Sequence, residues 1–470
     1  MNTRSRFALY FGNRGFFPER LIAAARSETE QALKRLGHDS ITMDATATRF
    51  GAVETADEGR AYARFLEEHR GKFDGVIIVL PNFGDERGAV EAVRDARVPI
   101  LVIAYPDEIA HMDFQSRRDA FCGKFSVMDM FYQYRIPYTS FMPHTVHPLS
   151  DEFAREIRIF DGVCRVVNGM RRMTVGAIGA RTTAFKTVRW DESAMETYGI
   201  STEALDLSDI FLRMKSADTG SKRFEERRTH LLSYANMSAV PPHAIEQFTR
   251  LSLVLDDVKK EYHLDAMAIR CWMEMQKELG IAPCVLIGEM NDRGIPTACE
   301  VDIGNAVAMH ALTLASTTPA SCLDWNNNYG DDEGRCILFH CGPVPRELMT
   351  DKGTVVDHPM FAKALGAGKG YGPNIGRIRE TPFTFLSTKT ENGKLLYYLG
   401  EGEFTGDVIP KEFFGCGGVA KIPDLQRVLF TIGRKGYRHH VSVTAGTVCA
   451  SVEEAFSNYL KYDRTTLDGR

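Results

Sequence analysis

Four residues of this chain carry donor atoms suited to metal and proton chemistry, and each lies at one end of an apolar run. Glu300 closes the segment GIPTACE, Asp324 closes ASCLD and His340 closes CILFH. His440 opens the alternating segment HVSVTA. Carboxylates at the ends of strands lie where α/β folds place ligands. Two carboxylates with one or two imidazoles form an oxygen and nitrogen site suited to Mn²⁺ or a similar divalent cation, rather than a thiolate site for zinc.

The two carboxylates also form a candidate acid/base pair, because a shared cation and their mutual repulsion separate their pKa values. Each residue has a structural alternative, since a single Glu or Asp at a strand end is most often a helix cap or a solvated charge. His439 and His440 are adjacent, and successive side chains of a strand face opposite sides. At most one of these two histidines is therefore expected to bind a metal.

The first third of the chain alternates predicted strands and helices. Apolar, β-branched runs such as FDGVIIVL are typical of strands buried in a parallel sheet. The predicted strands are 6–10, 40–43, 73–80 and 99–104, and a predicted helix covers 19–36. This β-α-β-α-β order predicts an open, doubly wound α/β domain with right-handed crossovers.

A second α/β unit is predicted from Met173 onwards, with helices at 205–211, 244–262 and 304–316 and further buried strands at 266–270 and 283–287. From about Thr317 the chain consists of short β-rich runs separated by Gly, Pro and Asp, at 384–388, 394–399, 428–432 and 440–444. That pattern predicts an antiparallel sheet or a small barrel. We therefore expect three domains, 1–170, 171–316 and 317–470, with Glu300 in the second and Asp324, His340 and His440 in the third.

Composition narrows the function classes. The formal net charge of −5 over 470 residues argues against a large nucleic-acid footprint. No apolar run reaches the roughly 18 residues of a membrane span, and the N-terminal apolar stretch is too short for a signal peptide. The ten cysteines are dispersed and form no CxxC pair, as expected of reduced thiols in a cytoplasmic protein. The strand-turn segment VGAIGAR does not match a dinucleotide fingerprint, which argues against a nicotinamide-dependent oxidoreductase.

The segment from Ala268 to Ser316 resembles the signature region of the L-fucose isomerase and L-arabinose isomerase superfamily. The resemblance includes Arg-Cys-Trp, a Pro-Cys pair, the segment GIPTACE and the apolar helix after it. It continues with an aspartate 24 positions after Glu300 (324 − 300), with LFHCG and with the terminal His-His before a strand. DAFCG, which starts at Asp119, resembles the superfamily's N-terminal loop. The resemblance covers essentially the whole chain.

This resemblance implies two Rossmann-like α/β domains and a C-terminal antiparallel, barrel-like domain. It implies that Glu300 and Asp324 are both metal ligands and the catalytic pair, and that His440 is a ligand because related arabinose isomerases use the second histidine of the pair. His340 matches a metal-binding histidine of the arabinose enzymes but a less clear one in the fucose enzymes, so its role as a ligand or a supporting residue stays open.

The implied reaction is an aldose–ketose isomerisation of an open-chain sugar, with a proton transferred through a cis-enediol in the presence of Mn²⁺ or another divalent cation. The resemblance also implies a trimer or hexamer in which a neighbouring subunit's first domain completes the pocket. Asp119, Cys122 and Lys124 would contact the substrate from that neighbour. Further candidate substrate contacts are Trp325, Asn326 and Arg438.

The identity of the sugar stays open. A neutral deoxyhexose or pentose is the default, and basic residues near the terminal histidines, such as Arg434, Lys435 and Arg438, leave room for an anionic sugar such as sulfoquinovose or a phosphorylated hexose. A metal-dependent epimerase or aldolase with the same ligands is a further alternative. A non-catalytic sugar-binding protein would not need Glu300, Asp324 and His440 together.

Overall fold

The computed structural model of the chain describes residues 4–467 and divides into two compact units. One unit runs to Asn168 and includes Ala450–Lys461, and the other comprises Gly169–Cys449 and the chain from Tyr462 onwards. The predicted domain boundaries at 170 and 316 stay predictions, and the first unit also contains residues 450–461, which the sequence analysis assigned to the third domain.

The first unit contains a four-stranded parallel sheet in which three strands are apolar and buried throughout, while the short edge strand at 40–42 is half-buried. The strand order is β2-β1-β3-β4, which confirms the doubly wound arrangement. The strands are β1 (Phe7–Phe11), β2 (Ser40–Thr42), β3 (Gly75–Leu80) and β4 (Ile100–Ala104). The helices are α1 (Arg20–Arg35), α2 (Ala56–Glu68), α3 (Glu86–Val93), α4 (Ala120–Gln133) and α5 (Asp151–Met170), which reaches just past the unit boundary.

The second unit begins with a parallel sheet of the same topology, in the order β6-β5-β7-β8. Its strands are β5 (Met173–Ile178), β6 (Ile200–Leu205), β7 (Ala266–Ile269) and β8 (Thr297–Cys299). Its helices are α6 (Glu192–Glu196), α7 (Leu207–Ser216), α8 (Lys222–Tyr234), α9 (Pro242–Glu261), α10 (Glu274–Leu279), α11 (Cys284–Asp292) and α12 (Ile303–Ser316).

The rest of the second unit is a nine-stranded mixed sheet, and six of its strands close into an antiparallel barrel. The strands are β9 (Ala320–Tyr329), β10 (Asp332–His340), β11 (Thr354–Asp357), β12 (Tyr371–Arg377), β13 (Thr381–Glu391), β14 (Lys394–Thr405), β15 (Cys416–Lys421), β16 (His440–Ala445) and β17 (Asp463–Arg464). The order around the barrel is β15-β10-β9-β16-β13-β14, and pairing of β14 with β15 closes the ring. Closure leaves these strands without an open edge. The barrel-like prediction is thus confirmed.

Three short helices accompany these strands: α13 (Pro359–Leu365), α14 (Leu425–Arg434) and α15 (Cys449–Glu453), which continues into a π-helical turn at Glu454–Leu460. The central helix α12 is apolar on every side and packs on strands of both the parallel sheet and the barrel. A helix that is apolar all round must be buried. Because β8 ends just before α12 and β9 begins just after it, α12 joins the strands that carry Glu300 and Asp324.

Two local predictions were wrong. The segment 283–287, predicted as a strand, belongs to helix α11, in which Cys284–Asn291 are all buried. Periodicity does not distinguish a strand from a helix that is buried all round. The segment 428–432, predicted as β, belongs to α14. Its buried residues Leu425, Val428 and Ile432 have helical spacing, which the shorter window missed.

Candidate metal centre and active site

Asp324 and His440 are brought together by the register of two barrel strands. They are direct cross-strand partners in the antiparallel pair β9 and β16, so their side chains share one face. Asp324 Oδ1 lies 3.4 Å from His440 Nε2. The neighbouring His439 Nε2 lies 3.8 Å from the same oxygen, and His439 is half-exposed while His440 is buried. The predicted choice of His440 over His439 is consistent with this geometry, although it stays a prediction.

Glu300 reaches the same point from the end of β8, through a sharp turn. Glu300 and Val301 both have left-handed backbone conformations, with φ of 62° and 59°. For residues other than glycine this conformation is uncommon and costs on the order of 1–3 kcal/mol each. The turn places Glu300 Oε2 at 2.9 Å from His440 Nε2, and Trp272 Nε1 donates a hydrogen bond of 3.1 Å to Glu300 Oε1. One carboxylate oxygen is therefore held by the indole, and the other faces the histidine.

Among the described residues, Asp324 Oδ1 and His340 Nε2 are buried without a hydrogen-bond partner, and His440 Nε2 faces only the Glu300 and Asp324 carboxylates, at 2.9 and 3.4 Å. An unpartnered buried polar atom is costly, and a cluster of them calls for an explanation such as a bound ion. Donor atoms of Glu300, His340 and His440 lie within 4.8 Å of one another, and so do those of Asp324, His439 and His440. Two carboxylates and an imidazole thus fit a divalent cation such as Mn²⁺.

Asp302 supports His440 from behind, and the sequence analysis did not single it out. Asp302 is fully buried, and its Oδ2 accepts a 2.8 Å hydrogen bond from His440 Nδ1. Its other oxygen lies 3.2 Å from Arg438 Nη1 and caps α12 by accepting from Asn305 N. With the proton held on Nδ1, the Nε2 lone pair of His440 is available to a cation, as in many metal sites. The N-cap position of Asp302 before an apolar helix was the one signal in the sequence.

Burial disfavours the charged forms of Glu300, Asp302 and His440. At Glu300 and Asp302 the neighbouring groups outweigh burial, so the net pKa of each carboxyl is lowered. Burial raises the pKa of Asp302, but Arg438, His440 and Asn305 lower it more, to about 2. Burial likewise raises the pKa of Glu300, while His440, His340 and Trp272 lower it to below its usual value. Burial lowers the pKa of His440, but Cys322, Asp302 and Glu300 raise it well above the usual value. The two carboxylates are therefore ionised at neutral pH, and a cation at His440 would compete with a proton for Nε2, because metal binding requires ionised carboxylates and a neutral imidazole.

His340 lies beside this cluster, at the end of β10. It is buried, and its ring centroid is 6.1 Å from that of His440. Its Nδ1 accepts a 2.8 Å hydrogen bond from the backbone N–H of Cys341, while its Nε2 is one of the unpartnered atoms. The Nδ1 atoms of the two histidines therefore have opposite roles: His440 donates a hydrogen bond from Nδ1, and His340 accepts one at Nδ1.

A cavity of about 350 Å³ opens onto Glu300, Asp324 and His340. This volume lies at the lower end of the range for small-molecule pockets. Most of the remaining wall is apolar or thiol-bearing, from Trp272, Met273, Phe339, Met360, Phe361, Ala364, Cys271, Cys284 and Cys341, with His358 beside them. Among the described residues that line this cavity, none is a lysine or an arginine.

The other predicted substrate contacts lie away from this cavity wall. Arg438 is buried behind Asp302 and also donates to the carbonyl of Thr388. Trp325 packs edge-on against Phe385 in the barrel and donates to Tyr398 Oη, and Asn326 is exposed. Their contact with a substrate stays a prediction.

Asp119, Cys122 and Lys124 belong to the first unit. Asp119 pairs with Arg117, Cys122 is exposed, and the buried Lys124 donates from Nζ to the carbonyl of His144. Their substrate contact from a neighbouring subunit likewise stays a prediction.

Family models match both ends of the chain. Residues 8–171 match the N-terminal domain of fucose/sulfoquinovose isomerase, and residues 338–466 match the C-terminal domain of L-fucose isomerase. The chain belongs to the L-fucose isomerase-like superfamily of sugar isomerases. This confirms the resemblance drawn from the sequence. Neither domain match includes residues 172–337, which contain Glu300 and Asp324, so the assignment of those two residues depends on the geometry described above.

The curated relatives within this superfamily are described as sulfoquinovose isomerases. That of Priestia megaterium (strain ATCC 12872 / QMB1551) is 21% identical over 396 residues, which cover 82% of this chain and 84% of the relative. That of Alkalicoccus urumqiensis is 23% identical over 298 residues, which cover 62% of this chain and 64% of the relative. The chain thus spans less than two thirds of the second relative's length. No helix among residues 4–467 is long and apolar enough to cross a membrane.

Proposed function

We propose that this protein is a metal-dependent aldose–ketose isomerase that acts on an open-chain sugar through a cis-enediol. The observation that carries the proposal is the convergence of Glu300, Asp324 and His440 beside one cavity, which Glu300 and Asp324 line. Two of the converging atoms, Asp324 Oδ1 and His440 Nε2, are buried and face only other groups of this cluster among the described residues. The superfamily of sugar isomerases to which the chain belongs supports the same reaction.

Glu300, Asp324 and His440 would hold the divalent cation, for which we propose Mn²⁺. When bound, such a cation acts as a Lewis acid that polarises the sugar carbonyl and makes the neighbouring C–H proton more acidic. One of the two carboxylates removes that proton, and the other transfers the hydroxyl proton. Trp272 orients Glu300 by its hydrogen bond to Oε1, which leaves Oε2 free to face the site. General acid–base catalysis of this kind contributes about 10²–10⁴-fold.

The wall of the cavity favours a neutral sugar with an apolar end. Met273, Met360, Phe361 and Ala364 offer no charge or hydrogen bond from their side chains. Burying a sulfonate or phosphate against such a wall without a cation would be costly. A deoxyhexose or another neutral aldose is therefore the substrate class that the cavity itself supports.

A sulfonated hexose is the second candidate, because the curated relatives are described as sulfoquinovose isomerases. One observation favours it within the second unit. Phe185 packs against His439 and His440, with ring centroids 5.5 and 5.7 Å away. The loop around Phe185 carries Arg181, Lys186 and Arg189, and Arg binds anionic groups in a bidentate manner.

We further propose that the protein is a trimer or hexamer, in which Asp119, Cys122 and Lys124 of one subunit contact the substrate of another. The exposed aromatic side chains of Phe121 and Phe125 on the same helix support an interaction surface there. The ten free cysteines support a reducing, cytoplasmic environment. A sedimentation measurement tests the assembly, and a fully active monomer would contradict it.

The test of the proposed function is an NMR assay in D₂O with metal-stripped protein returned to Mn²⁺. The panel contains neutral aldoses, 6-deoxyaldoses and sulfoquinovose. Ketose that forms only with Mn²⁺, with deuterium at the transferred carbon, is the expected result. Turnover of sulfoquinovose alone, abolished by Arg181→Ala, would replace the neutral substrate by the anionic one. Epimer formation or chain cleavage, with no ketose, would replace the isomerase by an epimerase or an aldolase.

A further inference from the structure

The two buried histidines of the site, His340 and His440, differ in the hydrogen-bond partner of their Nδ1 atoms. A neutral imidazole carries its proton on one nitrogen only, so a nitrogen that accepts a hydrogen bond leaves the proton on the other. His440 donates from Nδ1 to the Asp302 carboxylate at 2.8 Å. His340 accepts at Nδ1 from the Cys341 backbone N–H at 2.8 Å, and the Cys341 sulfur lies 3.3 Å from the same nitrogen, where its S–H can also donate. The backbone donor cannot reverse its role, because an amide N–H only donates.

The consequence appears at Nε2, the atom that each histidine directs into the site. His440 Nε2 has a free lone pair in the neutral ring, which is the requirement for a metal ligand. His340 Nε2 carries the proton instead. To coordinate a cation through this nitrogen, the neutral His340 ring would have to carry its proton on Nδ1, which faces the Cys341 N–H at 2.8 Å and has only the weakly accepting Cys341 sulfur, at 3.3 Å, as an alternative partner. Two like-facing N–H groups at this distance are unfavourable, so the local hydrogen bond opposes coordination.

We propose that His340 is not a metal ligand but a catalytic hydrogen-bond donor, whose Nε2–H binds an oxygen of the sugar at its reacting end. This inference builds on the proposed isomerase function. The atom is unpartnered, its residue is 4% exposed, and it faces the cavity that also contains Glu300 and Asp324. In this environment the sugar oxygen is the partner that the imidazole otherwise lacks.

The chemical role of His340 follows from the negative charge that develops on the sugar oxygens during the reaction. Removal of a C–H proton next to a carbonyl places negative charge on the oxygens of the enediol, and a positioned N–H stabilises that charge more than it stabilises the neutral substrate. His340 forms and breaks no covalent bond in this step. It keeps its proton, while Glu300 and Asp324 transfer the substrate protons.

The experiment compares His340→Ala and His340→Gln with His440→Ala, in protein stripped of metal and titrated with Mn²⁺. Free Mn²⁺ is measured by its EPR signal, which does not depend on turnover. We expect His340→Ala to change the Mn²⁺ dissociation constant by less than about threefold. Its kcat should fall by about 10²–10³, the loss typical of one donor to a developing oxyanion. His340→Gln retains an N–H donor and should recover part of kcat. His440→Ala should weaken Mn²⁺ binding by at least tenfold, about 1.4 kcal/mol.

Equal weakening of Mn²⁺ binding in His340→Ala and His440→Ala would overturn the proposal, because it would make His340 a ligand. An unchanged kcat in His340→Ala would overturn it as well. ¹⁵N NMR of histidine-labelled wild-type protein with Mg²⁺ locates the ring proton directly, with the His340→Gln variant as the assignment control. A His340 Nε2 without a proton would contradict the proposal. If the wild-type protein binds Mn²⁺ but converts no sugar, the isomerase proposal fails, while the Mn²⁺ and NMR results still decide whether His340 is a ligand.

Discussion

The two parallel sheets of this protein have the same strand order but different chemistry at the carboxyl ends of their strands. In the first unit, Asn13 and Asn82 follow β1 and β3, are buried and bond to each other, and Asn13 also donates to Glu54. In the second unit, Trp272 and Glu300 follow β7 and β8. Glu300 directs an oxygen towards His440, outside its own sheet.

The difference shows that a strand-end position is not sufficient for a metal centre. The amides of the first unit satisfy each other, which leaves them no need for a cation. Glu300 becomes part of the proposed metal centre because the barrel strands β9 and β16 supply Asp324 and His440 on a shared face. The end of the parallel sheet provides one of the three proposed ligands, and the antiparallel barrel provides the other two.

The largest effect should come from removing the charge of either carboxylate. We expect Glu300→Gln and Asp324→Asn each to lower kcat by at least about 10³-fold, because each removes a ligand and one member of the acid/base pair. Both variants should also weaken Mn²⁺ binding. The measurement is steady-state turnover together with an Mn²⁺ titration. The matched control is Glu54→Gln, which changes a buried carboxylate of the first unit and should leave Mn²⁺ affinity as it is. Appreciable activity in either variant would remove the acid/base assignment.

A smaller loss of Mn²⁺ affinity is expected from changing Asp302, which is bonded to His440 Nδ1. Asp302→Asn keeps an N-cap for α12 but removes the charge that holds the Nδ1 proton of His440. We expect Mn²⁺ affinity to fall by about 10–100-fold, as is typical when the partner of a metal-binding histidine is lost. The control is Asp191→Asn, which changes the N-cap of α6 and contacts no histidine among its assigned hydrogen bonds. Unchanged affinity in Asp302→Asn, with a melting temperature near that of the wild type, would show that Asp302 only caps the helix.

The smallest expected effect is on the pH dependence of the free energy of unfolding, and it comes from Glu156 in the first unit. Burial raises the pKa of Glu156 from 4.5 to about 7, although Lys124 opposes the shift. The folded state therefore retains a proton that the unfolded chain releases. The stabilisation is present below about pH 4.5 and is lost as the pH rises through about 7, by at most about 1.4 kcal/mol per pKa unit.

The variant Glu156→Gln should flatten this fall in the free energy of unfolding between pH 4.5 and 7, measured by urea denaturation. Asp151→Asn changes an exposed carboxylate on the same helix and is the control, whereas the charge of Glu152 contributes to the raised pKa of Glu156. A pH dependence in Glu156→Gln equal to that of the wild type would contradict the buried, protonated state of Glu156.

Much of the fold could be predicted because its signals are local. The apolar runs of β1, β3 and β4 are buried on both faces, and they are long enough to be recognised without knowledge of their neighbours. The helices α11 (284–292) and α14 (425–434) were missed for opposite reasons. One has no polar face to reveal its period, and the other reveals its period only over a window longer than five residues.

The sequence by itself determined which residue types were available for metal and proton chemistry, because Glu300, Asp324 and His440 each end or begin an apolar run. Only the tertiary structure decided how they meet. The register of β9 and β16 places Asp324 opposite His440, across more than a hundred residues of chain, and no local pattern encodes a register between distant strands. The tertiary structure also decided what lies at each Nδ1 atom, a carboxylate for His440 and a backbone N–H for His340. Those partners come from the packing around each ring, and they are the basis for the two different proton positions that we propose for the same type of side chain.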